Sequence, residues 1–261
     1  MCGITGFIQW NRDLTQESEL LPRTTDSLSN RGPDASGTWI SNPCAFGHRR
    51  LSVMDPENGA QPMHALQGDT SYTVVYNGEL YNAPELKKEL LQRGHHFRTQ
   101  CDTEVLLASY IEWGPACVDR FNGIFAFAIW DGGREQVFMA RDRLGVKPLF
   151  YSNAKDALVF GSEPKSLLLH PDVEAAVGPE GLAEVFIVGP ARTPGHGVYS
   201  SLNELKPAHA LIFNRNGIRT YAYWKLESQP HEHDLDETAA EVRRLLQDTL
   251  ERQLASDVPV C

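Results

Sequence analysis

The chain has 261 residues, 41% hydrophobic and 22% charged; this is the composition of a globular protein with one large domain, or one domain and part of a second. Its net charge is −10, with no long basic run, which argues against nucleic acid and anionic membranes as partners. Because no stretch approaches the roughly 18 apolar residues of a membrane span and the N-terminus lacks the regions of a signal peptide, we expect a cytoplasmic protein.

The N-terminal part of the chain predicts strands separated by one helix and two loops. The stretch 14–30 has a helical pattern that Pro22 disturbs. Glycines and prolines predict loops in RGPDASG (31–37) and in DPENGAQPMHALQGD (55–69). Apolar runs predict strands at 3–10, at about 38–41, at about 44–53 and at 71–77.

Two helices are predicted next. Asn82 is a candidate N-cap for APELKKELLQR, and Gly94 ends that helix. A second helix, TEVLLASYIEW, begins after Asp102 and stops at Gly114. The first helix has an apolar face, formed by Leu86, Leu90 and Leu91.

Strands dominate the remainder. GIFAFAIWD (123–131) is apolar on both faces, which predicts a strand buried on both sides, and it forms a hairpin with EQVFMARD. PLFYS and ALVFGSE predict another pair, and residues 209–226 a last hairpin that turns at Asn216-Gly217. Because strands and helices do not alternate regularly, the pattern favours antiparallel or mixed sheets with helices outside.

The C-terminal segment has a different character. Residues 227–236 are polar and contain a proline, which predicts a linker. Residues 237–257 predict an amphipathic helix, and VPVC a short apolar strand without a partner. We therefore expect a second domain that has only begun; the alternative is a terminal helix docked on the first domain.

The candidate reactive residue is a cysteine near the N-terminus, Cys2. The cysteines are odd in number and form no CxxC pair, and no histidines have HxxxH spacing, so neither predicts a metal site. If Met1 is removed, the α-amine of Cys2, with a pKa of about 7.7–8.0, can act as general base for the thiol of the same residue. A cysteine in a frayed terminus is the alternative.

Nine motifs connect the chain to a family. The residues up to about 224 resemble the glutaminase domain of glutamine-dependent asparagine synthetases, a class II (N-terminal nucleophile) amidotransferase. The resemblance implies an α+β fold, a four-layer α-β-β-α sandwich of two antiparallel sheets, followed by the start of a second α/β domain. It implies a glutaminase domain over 2–226, a linker over 227–236 and a truncated synthetase domain over 237–261. The motifs occur in the order MCGITGF, RGPDASG, HRRLSVMD, GAQP, YNGELYN, CDTEVLL, FNGIFAFAIWD, ARDRLGVKPLFY and FGSEPKSLL.

The resemblance also implies catalytic roles. Cys2 would attack the side-chain amide of glutamine and form a γ-glutamyl thioester with release of ammonia. The Asn77 side chain and the Gly78 backbone N–H would form the oxyanion hole. The alternative for Asn77-Gly78 is a hairpin turn, although the residues that follow do not look like a returning strand.

Substrate-binding roles follow from the same resemblance. Arg50 would hold the α-carboxylate of glutamine, for which the alternative is a surface ion pair. Arg49 is expected on the opposite strand face. Asp102, helped by Glu79, would accept the α-ammonium; the alternative for Asp102 is an N-cap, and it can fill both roles. Arg31 is interpreted as a loop anchor.

The function implied is glutamine hydrolysis that supplies ammonia for ATP-dependent conversion of aspartate to asparagine in the full-length enzyme. The glutaminase half-reaction needs no cofactor and no metal, whereas ATP and Mg²⁺ belong to the synthetase domain. The expected partners are L-glutamine and that domain, without nucleic acid or membrane. The sequence leaves open whether the protein forms a homodimer. The alternatives are a class II glutaminase that serves another ammonia acceptor, and a non-catalytic relative that acts as a binding module.

Overall fold

The computed structural model describes residues 1–16, 19–189, 193–254 and 257–258. Strands make up most of its regular structure. The helices are α1 (Leu20–Asp26), α2 (Ala83–Gln92), α3 (Asp102–Trp113), α4 (Pro164–Leu167), α5 (Pro179–Ala183) and α6 (Leu235–Gln253). The strands are β1 (Gly3–Gln9), β2 (Ala35–Ser41), β3 (Cys44–Arg50), β4 (Met63–Gln67), β5 (Thr70–Leu80), β6 (Gly123–Asp131), β7 (Gln136–Arg141), β8 (Phe150–Ala154), β9 (Ala157–Gly161), β10 (Asn203–Glu204), β11 (His209–Asn214) and β12 (Gly217–Ala222).

The strands form two six-stranded antiparallel sheets that pack face to face. The first sheet has the order β10-β8-β9-β1-β3-β2, and the second has the order β12-β11-β7-β6-β5-β4. Helices α1 and α4 pack on the outer face of the first sheet, while α2 and α3 pack on that of the second. A third apolar core lies between the sheets. The four-layer sandwich expected from the family resemblance is therefore confirmed.

Side-chain alternation along the strands explains why the sheets have two apolar faces each. In β1, Ile4 and Ile8 belong to the core between the sheets, whereas Phe7 faces the helices outside. In β5, Val75 points between the sheets and Val74 points towards α3. Successive side chains of a strand lie on opposite faces, so each strand supplies two layers of the core. The strand predicted over 123–131 is buried on both sides as expected.

Two loop predictions were too long. Strand β2 begins at Ala35, inside the predicted loop 31–37, and the predicted loop 55–69 contains all of β4. Strand β4 lies at the edge of its sheet, pairs only with β5 among the described strands, and leaves Leu66 exposed. An edge strand needs no continuous apolar face, so its sequence carries a weak strand signal.

Smaller corrections concern helix faces and turns. Pro22 lies in the first turn of α1, where a missing N–H costs no hydrogen bond. Leu91, predicted on the buried face of α2, is 51% exposed. Asn82 precedes α2 but makes no capping bond. The last hairpin pairs Asn214 with Gly217, so its turn lies one residue earlier than predicted.

Helix α6 begins before the predicted start at 237. Asp234 accepts from the Glu237 N–H, and the Glu237 side chain accepts from the Asp234 N–H, a capping box that places the helix start inside the predicted linker. Its apolar side, which includes Leu246 and Leu250, is exposed, while Arg252 contacts Glu85 across the gap to α2. The predicted strand at 258–261 lies largely outside the described residues, and the domain division stays a prediction. Within the described chain, no helix combines the length and apolarity needed to cross a membrane.

Candidate active site

An open cleft lies at one end of the space between the two sheets, where the apolar core stops. It is lined by all six residues for which the family resemblance implied a catalytic or substrate-binding role. These are Cys2, Arg50, Asn77, Gly78, Glu79 and Asp102.

Strand alternation accounts for most of this convergence. In β3, Arg50 lies on the same face as Phe46, which packs between the sheets. Glu79 and Asn77 lie on the same face of β5 as Val75, which packs there too. The side chains that follow the apolar ones at the strand ends therefore line the cleft.

Cys2 lies just before β1, across from the end of β3. The pairing of β1 with β3 begins at Gly3, which lies opposite Arg49, and Cys2 precedes this first pair by one residue. Its Sγ lies 3.4 Å from the Leu51 N and 3.6 Å from the Leu51 O. The backbone after β3 thus holds the thiol at the cleft. Burial raises the pKa of the Cys2 thiol, while the Leu51 N–H and nearby positive charges oppose that rise.

Arg31 fixes the position of the terminus, in agreement with its interpretation as an anchor. Its Nε donates to the carbonyl of Cys2 at 2.9 Å, and its Nη1 lies 3.0 Å from Glu163 Oε1. Met1 lies at the mouth of the cleft, and burial lowers the pKa of its α-amine. Arg31 therefore connects the start of β1 to the segment that follows β9.

Asn77 carries an unpartnered donor. The residue is 1% exposed, and its Nδ2 is buried without a hydrogen-bond partner among the described residues. An unsatisfied buried amide costs about 1–3 kcal/mol, so such groups in folded proteins call for an explanation. An oxygen atom of a bound ligand is a partner of the right chemistry for this amide.

Gly78 supplies a second donor from the backbone. The N–H of Tyr76 donates to Gln61 Oε1 at 2.6 Å and the N–H of Leu80 to Asp102 Oδ2 at 2.9 Å, both away from β6. The N–H of Gly78, midway between them in the strand, points the same way.

No strand pairs with this edge of β5 beyond Val74 in the described part of the chain, so the Gly78 N–H opens onto the cleft. A Cβ at Gly78 would lie 2.3 Å from the Ile124 carbonyl oxygen, so only glycine fits there. Asn77-Gly78 lies inside β5 and forms no hairpin turn.

Arg50 lines the cleft but also supports its wall. Its Nη1 donates to the Pro56 carbonyl at 2.8 Å, and its Nη2 donates to those of Met54 and Asp55 at 2.9 and 2.7 Å. These three bonds leave two of its five N–H donors for other partners. Arg49 points to the opposite face, as predicted, and donates to the Gly32 carbonyl.

The alternative interpretation of Asp102 as the N-cap of α3 is wrong. Asp102 is the first residue of the helix, after Cys101. Its Oδ2 accepts from the Tyr76 hydroxyl at 2.8 Å and from the Leu80 N–H at 2.9 Å, which ties β5 to α3. Burial raises the pKa of Asp102, and burial also raises that of Glu79, with Lys147 opposing.

The sequence did not single out several residues that line the cleft, nor a buried histidine on the strand face of Arg50. This histidine, His48, joins the two sheets: its Nε2 lies 3.1 Å from the Tyr76 carbonyl oxygen, and burial lowers its pKa to about 3. Gln61, Cys101 and Lys147 line the cleft. Alternation could have placed His48 on the face of Arg50, whereas the others depend on loop positions that no local pattern encodes.

The comparisons with known proteins agree with this geometry. A family model described as a glutamine amidotransferase domain matches residues 1–224. The chain is 52% identical over its full length to "Asparagine synthetase [glutamine-hydrolyzing] 3" of Bacillus subtilis and covers 42% of that protein. The chain is also 38% identical over its full length to "Asparagine synthetase [glutamine-hydrolyzing] 2" of the same organism and covers 36% of that protein.

Solved structures show the same fold at lower identity. The glutamine phosphoribosylpyrophosphate amidotransferase of B. subtilis aligns with 85% of this chain and 49% of its own, with a TM-score of 0.61 and 21% identity. The chain thus spans about two fifths of the length of the B. subtilis asparagine synthetases that it matches.

Proposed function

Because the chain belongs to the glutamine amidotransferase domain family, we propose that it hydrolyses the side-chain amide of L-glutamine with Cys2 as the nucleophile. One observation carries this proposal: the thiol shares a cleft with two donors, Asn77 Nδ2 and Gly78 N–H, that have no partner within the described chain. A nucleophile beside two open donors is the arrangement that acyl transfer requires.

The reaction proceeds in two halves. After Met1 has been removed, the α-amine of Cys2 takes the thiol proton, and Sγ attacks the amide carbon. Asn77 and Gly78 donate to the oxyanion. The amine returns the proton to the leaving nitrogen, ammonia departs, and a γ-glutamyl thioester remains. Water, deprotonated by the same amine, then cleaves the thioester to glutamate and the free thiol.

The charged ends of glutamine have complementary groups in the cleft. We assign the α-carboxylate to the two N–H donors of Arg50 that its loop contacts leave available. The α-ammonium is assigned to Asp102 and Glu79, both of which line the cleft. This arrangement favours a free amino acid as the substrate, because both charged ends are neutralised.

Removal of the nucleophile tests the proposal. Ammonia and glutamate are measured after incubation with L-glutamine, for the Met1-free chain and for Cys2→Ala. Loss of all activity in the variant is expected. The matched control is Cys117→Ala, whose thiol is buried in the core under α2 and α3 and does not line the cleft, and which should keep its activity. Ammonia release that persists in Cys2→Ala would exclude Cys2 as the nucleophile.

The terminal amine gives a separate test. A retained Met1 converts the amine of Cys2 into an amide, which is not a base, and places a side chain at the mouth of the cleft. We expect the intact mass of active protein to lack methionine. A preparation that retains Met1 on every chain and is fully active would rule out the N-terminal base.

For the whole protein we propose synthesis of asparagine from aspartate, ATP and glutamine-derived ammonia, with ATP and Mg²⁺ bound outside this chain. The glutaminase half needs neither. The support is the 52% identity to a glutamine-hydrolysing asparagine synthetase. In a full-length protein, Cys2→Ala should make asparagine from ammonium but not from glutamine. Ammonium-dependent amidation of another acceptor would identify a different amidotransferase.

We also propose a cytoplasmic location, with L-glutamine and the C-terminal synthetase portion as partners and without nucleic acid. The acidic net charge of −10 supports the last point.

A further inference from the structure

Lys147 is a nearly buried cation that the roles above leave unused. It lies in the segment between β7 and β8, is 8% exposed and lines the cleft together with Cys2 and Glu79. Its Nζ makes no hydrogen bond or ion pair within the portion of the chain that is described. Lysines are rarely buried without a paired carboxylate, because removing a charge from water is costly. The position of this ammonium therefore requires an explanation.

The segment that carries Lys147 is braced on both sides of the residue. The carboxylate of Asp142 accepts from the Lys147 N–H at 2.9 Å, and also from the N–H groups of Leu144 and Val146. The guanidinium of Arg141 donates to the Lys147 carbonyl at 2.7 Å. Both polar groups of the Lys147 backbone are thus fixed by buried side chains.

Arg141 has further contacts that hold it in place. It donates to the carbonyls of Gly145 and Leu205 and forms a buried ion pair with Glu204 at 3.0 Å. A buried network of this kind stabilises one loop conformation. The segment therefore presents Lys147 to the cleft in a defined position.

We propose that Lys147 is a positioning residue that acts through its charge: its ammonium, in the same cleft as Cys2, favours the neutral α-amine of Cys2, which takes the thiol proton, and the thiolate, which then attacks. The inference rests on the proposed glutaminase function. A positive charge close to an acid and a base favours the deprotonated form of both. One fixed cation thus prepares the nucleophile and its base together.

Several other charged groups face the same atoms. Arg31 and Asp34 act on the α-amine of Met1, Arg50 acts on the Cys2 thiol, and burial affects both groups. Lys147 lowers the pKa of the Met1 amine, which precedes the Cys2 amine in the chain, and that of the Cys2 thiol, and it itself faces Glu79, Asp142 and Arg31. Arg31 and Arg50 already have acceptors at hydrogen-bond distance, whereas the Nζ of Lys147 has none in the described ranges.

The sign of the expected effect follows directly. We expect removal of the Lys147 charge to raise the pKa of the Cys2 thiol and, in the Met1-free chain, that of the Cys2 α-amine. Both changes move the acid limb of the kcat/KM profile for glutamine to higher pH. One unit charge several ångströms away in a partly shielded site corresponds to a shift of about one pH unit.

The test compares Lys147→Met and Lys147→Arg with the unmodified chain over the acid limb. Lys147→Met should shift the limb by about one pH unit, and Lys147→Arg should restore its position. Lys88→Met, at an exposed site on α2, is the matched control and should leave the profile unchanged. Thermal unfolding verifies that each variant is folded. A loss of rate with an unmoved limb, or an arginine variant that behaves like methionine, would overturn the proposal.

A second readout does not depend on glutamine hydrolysis. The rate of alkylation of Cys2 by iodoacetamide, followed by mass spectrometry, reports the thiolate fraction as a function of pH. Lys147→Met should shift this profile upward. If the chain fails to hydrolyse glutamine but the alkylation profile shifts, the proposed function fails and the role of Lys147 stands. If hydrolysis occurs and neither profile moves, only the role of Lys147 fails.

Discussion

The space between the two sheets has two contrasting regions built from the same strands. In the middle, Phe46 and Phe160 pack edge to face with ring centroids 5.5 Å apart, among apolar side chains that are fully buried. At one end, the same strand faces carry Cys2, Arg50 and Asn77, which line an open cleft. The backbone geometry is continuous from one region to the other, and only the side chains change.

The contrast shows how stability and reactivity are divided within one layer. The apolar region needs no hydrogen bonds and gains free energy from burial. The cleft retains two costs: the Asn77 amide, whose Nδ2 has no partner among the described residues, and the buried cation of Lys147. Such costs persist where they serve a function. Substitutions in the two regions should therefore separate into losses of stability and losses of activity.

The largest effect is expected in the apolar region. Phe160→Ala removes a fully buried ring and should lower the free energy of unfolding by about 3–5 kcal/mol, as measured by urea denaturation. The matched control is Phe186→Ala, because Phe186 is 80% exposed; its effect should stay within about 0.5 kcal/mol. Similar losses for the two variants would contradict the location of the core.

The next effect belongs to the cleft. Asn77→Ala removes one oxyanion donor and should lower kcat about 10²–10³-fold. The free energy of unfolding should not fall, because the Nδ2 of Asn77 has no partner to lose among the described residues. Steady-state kinetics and urea denaturation of the same preparation give both numbers. Asn153→Ala, at an exposed position of β8, is the control.

An unfolding free energy that falls as far as for Phe160→Ala would make Asn77 a structural residue. It would also remove the contrast between the two regions.

Strand alternation explains why much of this arrangement could be predicted from the sequence. The separate faces of Arg49 and Arg50 follow from a period of two, and the structure confirms them. Strands that are apolar on both faces predicted sheets with helices outside, whereas the two-sheet sandwich was expected from the family resemblance.

Alternation gives the face of each side chain but not the neighbours of its strand. The bond from His48 to the Tyr76 carbonyl joins residues 28 positions apart. The presentation of Lys147 depends on a loop braced by Asp142 and Arg141. The hydrogen bonds that β5 donates to Asp102 could be predicted only with the knowledge that α3 packs on that strand. Each of these is a tertiary contact without a local sequence signal.

A smaller effect on substrate affinity is expected from Asp102→Asn. The amide oxygen can still accept from the Tyr76 hydroxyl and the Leu80 N–H, so the link between α3 and β5 is kept. The charge that would hold the α-ammonium is lost. A hydrogen bond to a charged group contributes about 1.5–3 kcal/mol, so the KM for glutamine should rise about 10–100-fold with a smaller change in kcat.

Asp69→Asn, on the exposed turn after β4, is the matched control for charge and should leave KM unchanged. If Asp102→Asn lowers stability and leaves KM at its original value, the carboxylate is structural and the ammonium has another acceptor.

The smallest effect concerns the bond that joins the two sheets beside the cleft, and it depends on pH. Burial lowers the pKa of His48 from 6.5 to about 3, so the unfolded chain binds more protons than the folded one between these values. The stability contributed by neutral His48 is therefore present above pH 6.5 and decreases as the pH falls, by about 1.4 kcal/mol per pH unit.

His48→Gln keeps a donor for the Tyr76 carbonyl and cannot be protonated, so it should lose less stability between pH 7 and pH 5. Urea denaturation at the two pH values measures this difference, with His96→Gln at an exposed position as the control. Equal acid sensitivity of the unmodified chain and His48→Gln would show that His48 is accessible to protons in the folded state, and that the apolar region ends before reaching it.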